Sequence, residues 1–231
     1  MTRFAWLPVA LVLAGCAAEI PGETRREQQS IELDGSKSAR VHLEMNAGEL
    51  RVSSGATKLM EAEFTYNVER FKPIVEHRPN PAGSEIHISQ GDTQGFTLGN
   101  NMSRWDLRLN DGVPLDVVAR LGAGEAELNL GELDLRSVEM GIGAGEVRVD
   151  LRGTPKASYG VRIGGGVGET VVYLPRSVGI SATAAGGIGN ISVNGLEKRG
   201  DRWINPGHEN DPVQITLDVK GGIGEIQVTA Q

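Results

Sequence analysis

A single cysteine in 231 residues rules out any disulfide within the chain. Packing and backbone hydrogen bonds must therefore hold the fold together. Aromatic residues are scarce at 4%, so the core has to be built from aliphatic side chains. Twenty-three lysines and arginines stand against 30 aspartates and glutamates, a net charge of -7. An acidic balance of this kind is poorly suited to nucleic acid, and no nucleic-acid partner is expected. Apolar residues nowhere sustain a 3.6-residue period with capping signals, which excludes a helical domain.

Glycine, by contrast, is abundant: 32 residues, about twice the usual share. These glycines recur in a block followed by an acidic or amide residue and an alternating apolar run. The clearest copies are Asn46-Ala47-Gly48-Glu49-Leu50-Arg51-Val52, Gly122-Ala123-Gly124-Glu125-Ala126-Glu127-Leu128 and Gly143-Ala144-Gly145-Glu146-Val147-Arg148-Val149. Looser copies begin at Gly168, Gly189 and Gly224. From Gly124 the key glycines step by 21, 23, 21 and 35 residues, a period that marks stacked β units. Around them apolar residues alternate with period two, as in Val147, Val149 and Leu151 against Arg148, Asp150 and Arg152. The predicted fold class is all-β: a β-solenoid, or β-helix-like stack of short strands, with an antiparallel N-terminal portion. Residues 113–231 supply about five regular coils. Residues 39–112 form the antiparallel start, with strands at Val41–Leu43, Leu50–Val52, Met60–Tyr66, Pro73–His77, Glu85–Ser89 and Trp105–Leu109. The 35-residue step reflects an excursion from Asn194 to Pro212 that includes Trp203.

The N-terminus reads as an export signal. Arg3 precedes an apolar run from Phe4 to Ala14, too short for a membrane-spanning helix, which needs about 20 residues. The segment closes on Leu13-Ala14-Gly15-Cys16, which resembles the bacterial lipobox. That resemblance implies a signal peptide over 1–15, cleavage before Cys16 and lipidation of its thiol. Residues 16–38 then hold the lipidated cysteine and a tether. Ala17 and Ala18 follow with no aspartate beside the cysteine, which favours the outer membrane in a two-membrane cell. The expected location is extracytoplasmic, with the lipid as the contact to the membrane.

Several of these blocks together resemble a known family. Phe64-Thr65-Tyr66-Asn67-Val68, Trp105 to Asn110, Val113-Pro114-Leu115 and Gly122-Ala123-Gly124-Glu125-Ala126 look like the toast-rack domain of bacterial envelope proteins. Gly221-Gly222-Ile223-Gly224-Glu225 resembles the related putative-adhesin and cell-envelope-stress domains. The resemblance spans about residues 40–230 and implies an extracytoplasmic β-stack without catalytic residues. Its expected partner is an envelope protein or a cell-wall component; an accessory role beside an envelope-stress sensor is the alternative it suggests.

Motifs for chemistry are weak. Arg162-Ile163-Gly164-Gly165-Gly166-Val167-Gly168 suggests a phosphate loop, but a strand pattern follows where a helix N-terminus is required. Histidines 42, 77, 87 and 208 show no metal-ligand spacing. Glu49, Glu125, Glu146, Glu169 and Glu225 align if the blocks stack, so calcium bridging competes with plain solvation of turn carboxylates, the favoured reading. A carbohydrate-active β-helix needs paired carboxylates; Asp106, Glu132, Asp134 and Arg136 could supply them only as any acidic repeat protein could. The expectation is no enzymatic activity, no metal and no cofactor. Trp203, with Arg199 and Arg202 nearby in the excursion, and Phe71 and Phe96 beside loops, are the candidate interaction residues. Trp203 has a second reading, as a pin that holds the excursion on the last coil. Trp105, in step with Leu107 and Leu109, is expected in the core.

Overall fold

The fold is seen in a computed structural model that describes residues 21–91 and 100–231. In chain order the strands are β1 (Arg25–Ile31), β2 (Ala39–Ser54), β3 (Met60–Tyr66), β4 (Pro73–Arg78), β5 (Ser84–Gln90), β6 (Ser103–Leu109), β7 (Leu115–Asn129), β8 (Leu135–Asp150), β9 (Tyr159–Leu174), β10 (Gly179–Asn194), β11 (Glu197–Arg199), β12 (Arg202–Ile204) and β13 (Gln214–Ala230). One 3-10 turn, Glu69–Phe71, joins β3 to β4. All 13 described strands belong to one sheet, as the all-β solenoid reading requires.

Six strands, β2, β7, β8, β9, β13 and β10, run 15 to 17 residues each and pair in parallel, glycine block on glycine block. Each is folded at its middle into two arms. In β8, Val138, Met140 and Ile142 are buried on the first arm and Val147 and Val149 on the second. Ile142 and Val147 face inward although they stand five positions apart, an odd offset that a straight strand forbids. Gly145 absorbs this change of parity at φ 132°, a conformation that L side chains rarely adopt. Its equivalents Gly48, Gly124, Gly168, Gly224 and Gly189 have φ between 129° and 143°. The arms close on one another: a Cβ built on Gly221 lies 3.0 Å from Cδ1 of Ile226. Aliphatics from both arms thus form a single core along the stack, each fully buried side chain contributing roughly 1.5–3 kcal/mol.

Spatial order departs from chain order in one place. β13 inserts between β9 and β10, so the last strand in sequence is not the last in space. Its row Ile215, Leu217, Val219, Ile226 and Val228 is wholly buried, whereas β10 offers Ala182 and Ala184 at corresponding positions. Placing the bulkier row between two neighbours buries more apolar surface, and the excursion after Asn194 supplies the chain needed to reach that slot.

Two further expectations are corrected. The segment assigned to a tether, residues 16–38, contains β1, which pairs antiparallel with β3 over its whole length. The start of the fold is antiparallel only in part: β1–β3, β3–β6 and β4–β5 are, but β2 pairs in parallel with β5, β6 and β7. β2 is a full repeat strand whose outer side is shared by two short strands, β5 on one arm and β6 on the other.

Between those two strands no described strand lies beside the corner of β2, and among the described residues the Gln90 side chain bridges the gap. Gln90, at the end of β5 and buried, accepts from the backbone N–H of Asn46 (2.8 Å) and Ala47 (3.1 Å). Its Nε2 donates to the carbonyl of Ala47 (3.2 Å) and to Oγ of Ser103 (3.0 Å). A side-chain amide carries one donor group and one acceptor, as a peptide unit does, so it can stand in for the missing backbone. Below it Trp105 packs edge-on to Phe64, ring centroids 5.7 Å apart, inside the core as expected.

Candidate interaction surface

The parallel register sets every copy of the glycine block in ladders along the outer corner. One ladder is glycine at positive φ, described above. A second, Gly122, Gly143, Gly166, Gly222 and Gly187, is somewhat less tight: a Cβ on Gly143 would sit 2.4 Å from the carbonyl oxygen of Gly122. Between them runs a ridge whose side chains grow along the stack, Ala47, Ala123, Ala144, Val167, Ile223 and Ile188. Val167, Ile223 and Ile188 are 53%, 52% and 70% exposed, far more than the aliphatics of the arms. The outer corner is therefore a strip of bare backbone with an apolar crest, crowded at the β9–β13–β10 end.

Beside it lies the carboxylate ladder Glu49, Glu125, Glu146, Glu169 and Glu225, in register as the repeat predicted, with Asn190 at its end. Arg104 donates to Glu49 across 2.7 Å, and this bond, reinforced by the charges of Arg104 and Arg51, lowers the Glu49 pKa. Carboxylates on adjacent strands, about 4.8 Å apart, repel one another. We expect Glu146→Gln to raise stability by about 0.2–1 kcal/mol, with the gain shrinking as salt is added; urea titrations at two ionic strengths measure it. Calcium should shift the melting temperature no more than sodium chloride of equal ionic strength, and a specific rise would favour bridging. Among the described residues no group of three or more His, Cys, Asp or Glu side chains converges as a metal site.

Residues singled out from sequence are scattered. Cys16 and Phe96 lie outside the described residues. Trp203, half-buried, sits in β12, which pairs with β10 at Ala182, and Lys198 Nζ stands 5.1 Å from its ring centroid. It pins the excursion, though on β10 rather than on the last strand of the chain. Arg199 pairs with Glu209 (3.3 Å) and Glu197 (3.6 Å), and Arg202 donates to Oγ of Ser181. Phe71 lies in the 3-10 turn, across all six repeat strands from Trp203, so the two aromatics share no surface. Asp106 pairs with Arg51 (4.0 Å), Asp134 with Lys156 (4.0 Å) and Arg136 with Asp116 (3.8 Å); the structure does not gather them into one site.

The structure also joins residues that spacing kept apart. His42 and His87 meet in register on β2 and β5 with ring centroids 6.1 Å apart, and burial, then the charge of Arg40, lowers the His42 pKa. A polar cleft of about 760 Å³ opens over β1, β3, β6, β2 and β7, lined by Arg51, Lys58, Glu61, Glu63, Arg108 and Glu127 among others. Nothing in the repeat signalled it, because much of its lining comes from β1, β3 and β6, outside the repeat.

A bent-strand solenoid with glycine corners defines the structural class. The chain belongs to the family described as the N-terminal domain of toast_rack, DUF2154, which matches residues 20–173. Among solved structures it is similar to a "putative cell adhesion protein" from Clostridium sporogenes, at 28% identity and TM-score 0.84, over 90% of this chain and 100% of that one. A "putative adhesin" from Bacteroides fragilis aligns at 9% identity and TM-score 0.32, over 90% of this chain and 99% of that one. No curated protein matches the chain. Among the described residues no helix is long and apolar enough to cross a membrane.

Proposed function

We propose that this chain is a non-enzymatic envelope protein, anchored by lipid at Cys16, whose rigid stack presents its outer corner to a protein or cell-wall partner. The exposed crest of Val167, Ile223 and Ile188 carries the reading: apolar side chains held in water by a backbone too tight to move fit a contact surface. The name of the Clostridium sporogenes relative, a protein of cell adhesion, supports it, as does family membership. Because β1 begins at Arg25, only eight residues separate the anchor from the sheet. Fully extended they reach about 28 Å, so β1 stands close to its membrane.

Metabolic labelling with a radioactive fatty acid tests the anchor: label on the native chain and none on Cys16→Ser is expected, and label retained by the variant defeats it. Crosslinking in cells tests the surface. Ile223→Asp should abolish capture of an envelope partner without altering the fold, and unchanged capture removes the corner from the reading. Release of reducing ends from envelope polysaccharide, lost on changing one carboxylate, would replace it with catalysis.

A further inference from the structure

The two ends of the stack are closed differently. At one end β2 is covered by β5 and β6, with β4, β3 and β1 beyond them. At the other, β12 pairs with β10 only at Ser181 and Ala182, and β11 closes the hairpin with charged residues. From Thr183 to Asn194, no strand among the described residues pairs with the outer side of β10. Exposed strand edges are normally defended by charge, proline or a bulge. This one has none: β10 carries no charged residue and no proline over its 16 residues, while each of the other five repeat strands carries at least two charges. The core also emerges there, since Ile191, which faces Gly186 inside the corner, is 38% exposed, and Ile188 beside it is 70% exposed.

We infer that the free edge of β10 pairs with the same edge of a second copy of this chain. Charge selects that occupant. A chain of net charge -7 can meet itself without repulsion only through a neutral patch, and this edge is one. Shape selects the symmetry. A two-fold axis along the bisector of a bent strand lays the first arm of one copy on the second arm of the other, antiparallel, corner on corner. Both arms then gain backbone hydrogen bonds at once, and the pairing is isologous and closed. Head-to-tail growth is disfavoured, because the edge strands at the opposite end, β1 and β4, carry charges and β4 a proline. The hairpin limits pairing to the stretch from about Thr183 to Val193, which brings Ile188 close to its own symmetry mate. The N-termini end up at the two extremes of the doubled stack.

Sedimentation of the full chain in detergent, through the micromolar range, is expected to give twice the chain mass. The double variant I188K/N190K should sediment as a single chain. Position 190 lies in register with Glu225, so a lysine there meets a carboxylate and the fold is expected to survive; an unchanged circular dichroism spectrum checks that. In a Cys16→Ser background, Ile188→Cys should form a disulfide-linked dimer under oxidation, whereas Ala123→Cys, on the same ridge inside the stack, should not. A single chain at every concentration overturns the inference. So does a dimer that persists in I188K/N190K, or a native chain whose β10 edge crosslinks only to a different protein.

Discussion

Gly145→Ala should destabilise the fold by more than about 3 kcal/mol, while Gly141→Ala, four residues earlier in the same strand, should stabilise it by about 0.4–1 kcal/mol. At Gly145 two costs coincide. Its φ of 132° strains any residue with a Cβ, by about 1–3 kcal/mol. The added methyl would also lie 1.9 Å from the carbonyl oxygen of Gly124. That oxygen belongs to a rung packed just as closely on the next, since a Cβ on Gly124 would in turn lie 2.0 Å from the carbonyl of Gly48. Moving one rung moves the ladder, so relaxation is cooperative and costly, beyond the usual effect of one substitution. Gly141 sits on the first arm, faces outward, and a Cβ there meets nothing within 4 Å. Alanine only reduces the freedom of the unfolded chain. Urea unfolding followed by circular dichroism compares the two. A G145A midpoint near that of the native chain would show that the corner has slack and that bare backbone is not what shapes it.

The contrast between these glycines marks what sequence can reveal. Glycine blocks at a near-constant step expose the ladder because stacking forces the same solution on each coil: identical sites demand identical residues. For the same reason the carboxylate row was readable; β3, outside the repeat, matched its expected bounds through its own alternation. Three features were hidden, each arising where the repeat stops. β1 carries Arg25, Arg26, Glu27, Gln28 and Gln29, a polar run that looks like linker until β3 is placed beside it. The insertion of β13 depends on comparing the aliphatic rows of β10 and β13 in space. The open edge of β10 depends on that insertion, since in chain order β10 would lie inside the stack. Trp203 was visible as an anchor, but its partner strand was not.

Gln90 is the sharpest such case, because nothing around Ser89-Gln90-Gly91 distinguishes it from the polar end of any strand. Replacing it with leucine, of similar size, should cost about 3 kcal/mol or more. The side chain is buried, and a leucine of similar size would still cover the groups it now bonds. Leucine would strand the N–H groups of Asn46 and Ala47 and the carbonyl of Ala47. Each unsatisfied buried group costs about 1–3 kcal/mol, more than the net value of a hydrogen bond. Gln90→Glu separates the two halves of the role: its carboxylate still accepts from both N–H groups but can no longer donate to Ala47 and Ser103 while ionised. It should therefore fall between leucine and the native chain. Hydrogen exchange supplies the local readout, with the amides of Asn46 and Ala47 losing protection in Gln90→Leu before those of β8 do. If both amides exchange as slowly in the leucine variant as in the native chain, another group satisfies the corner of β2. A side chain would then not be what joins β5 to β6 across that gap.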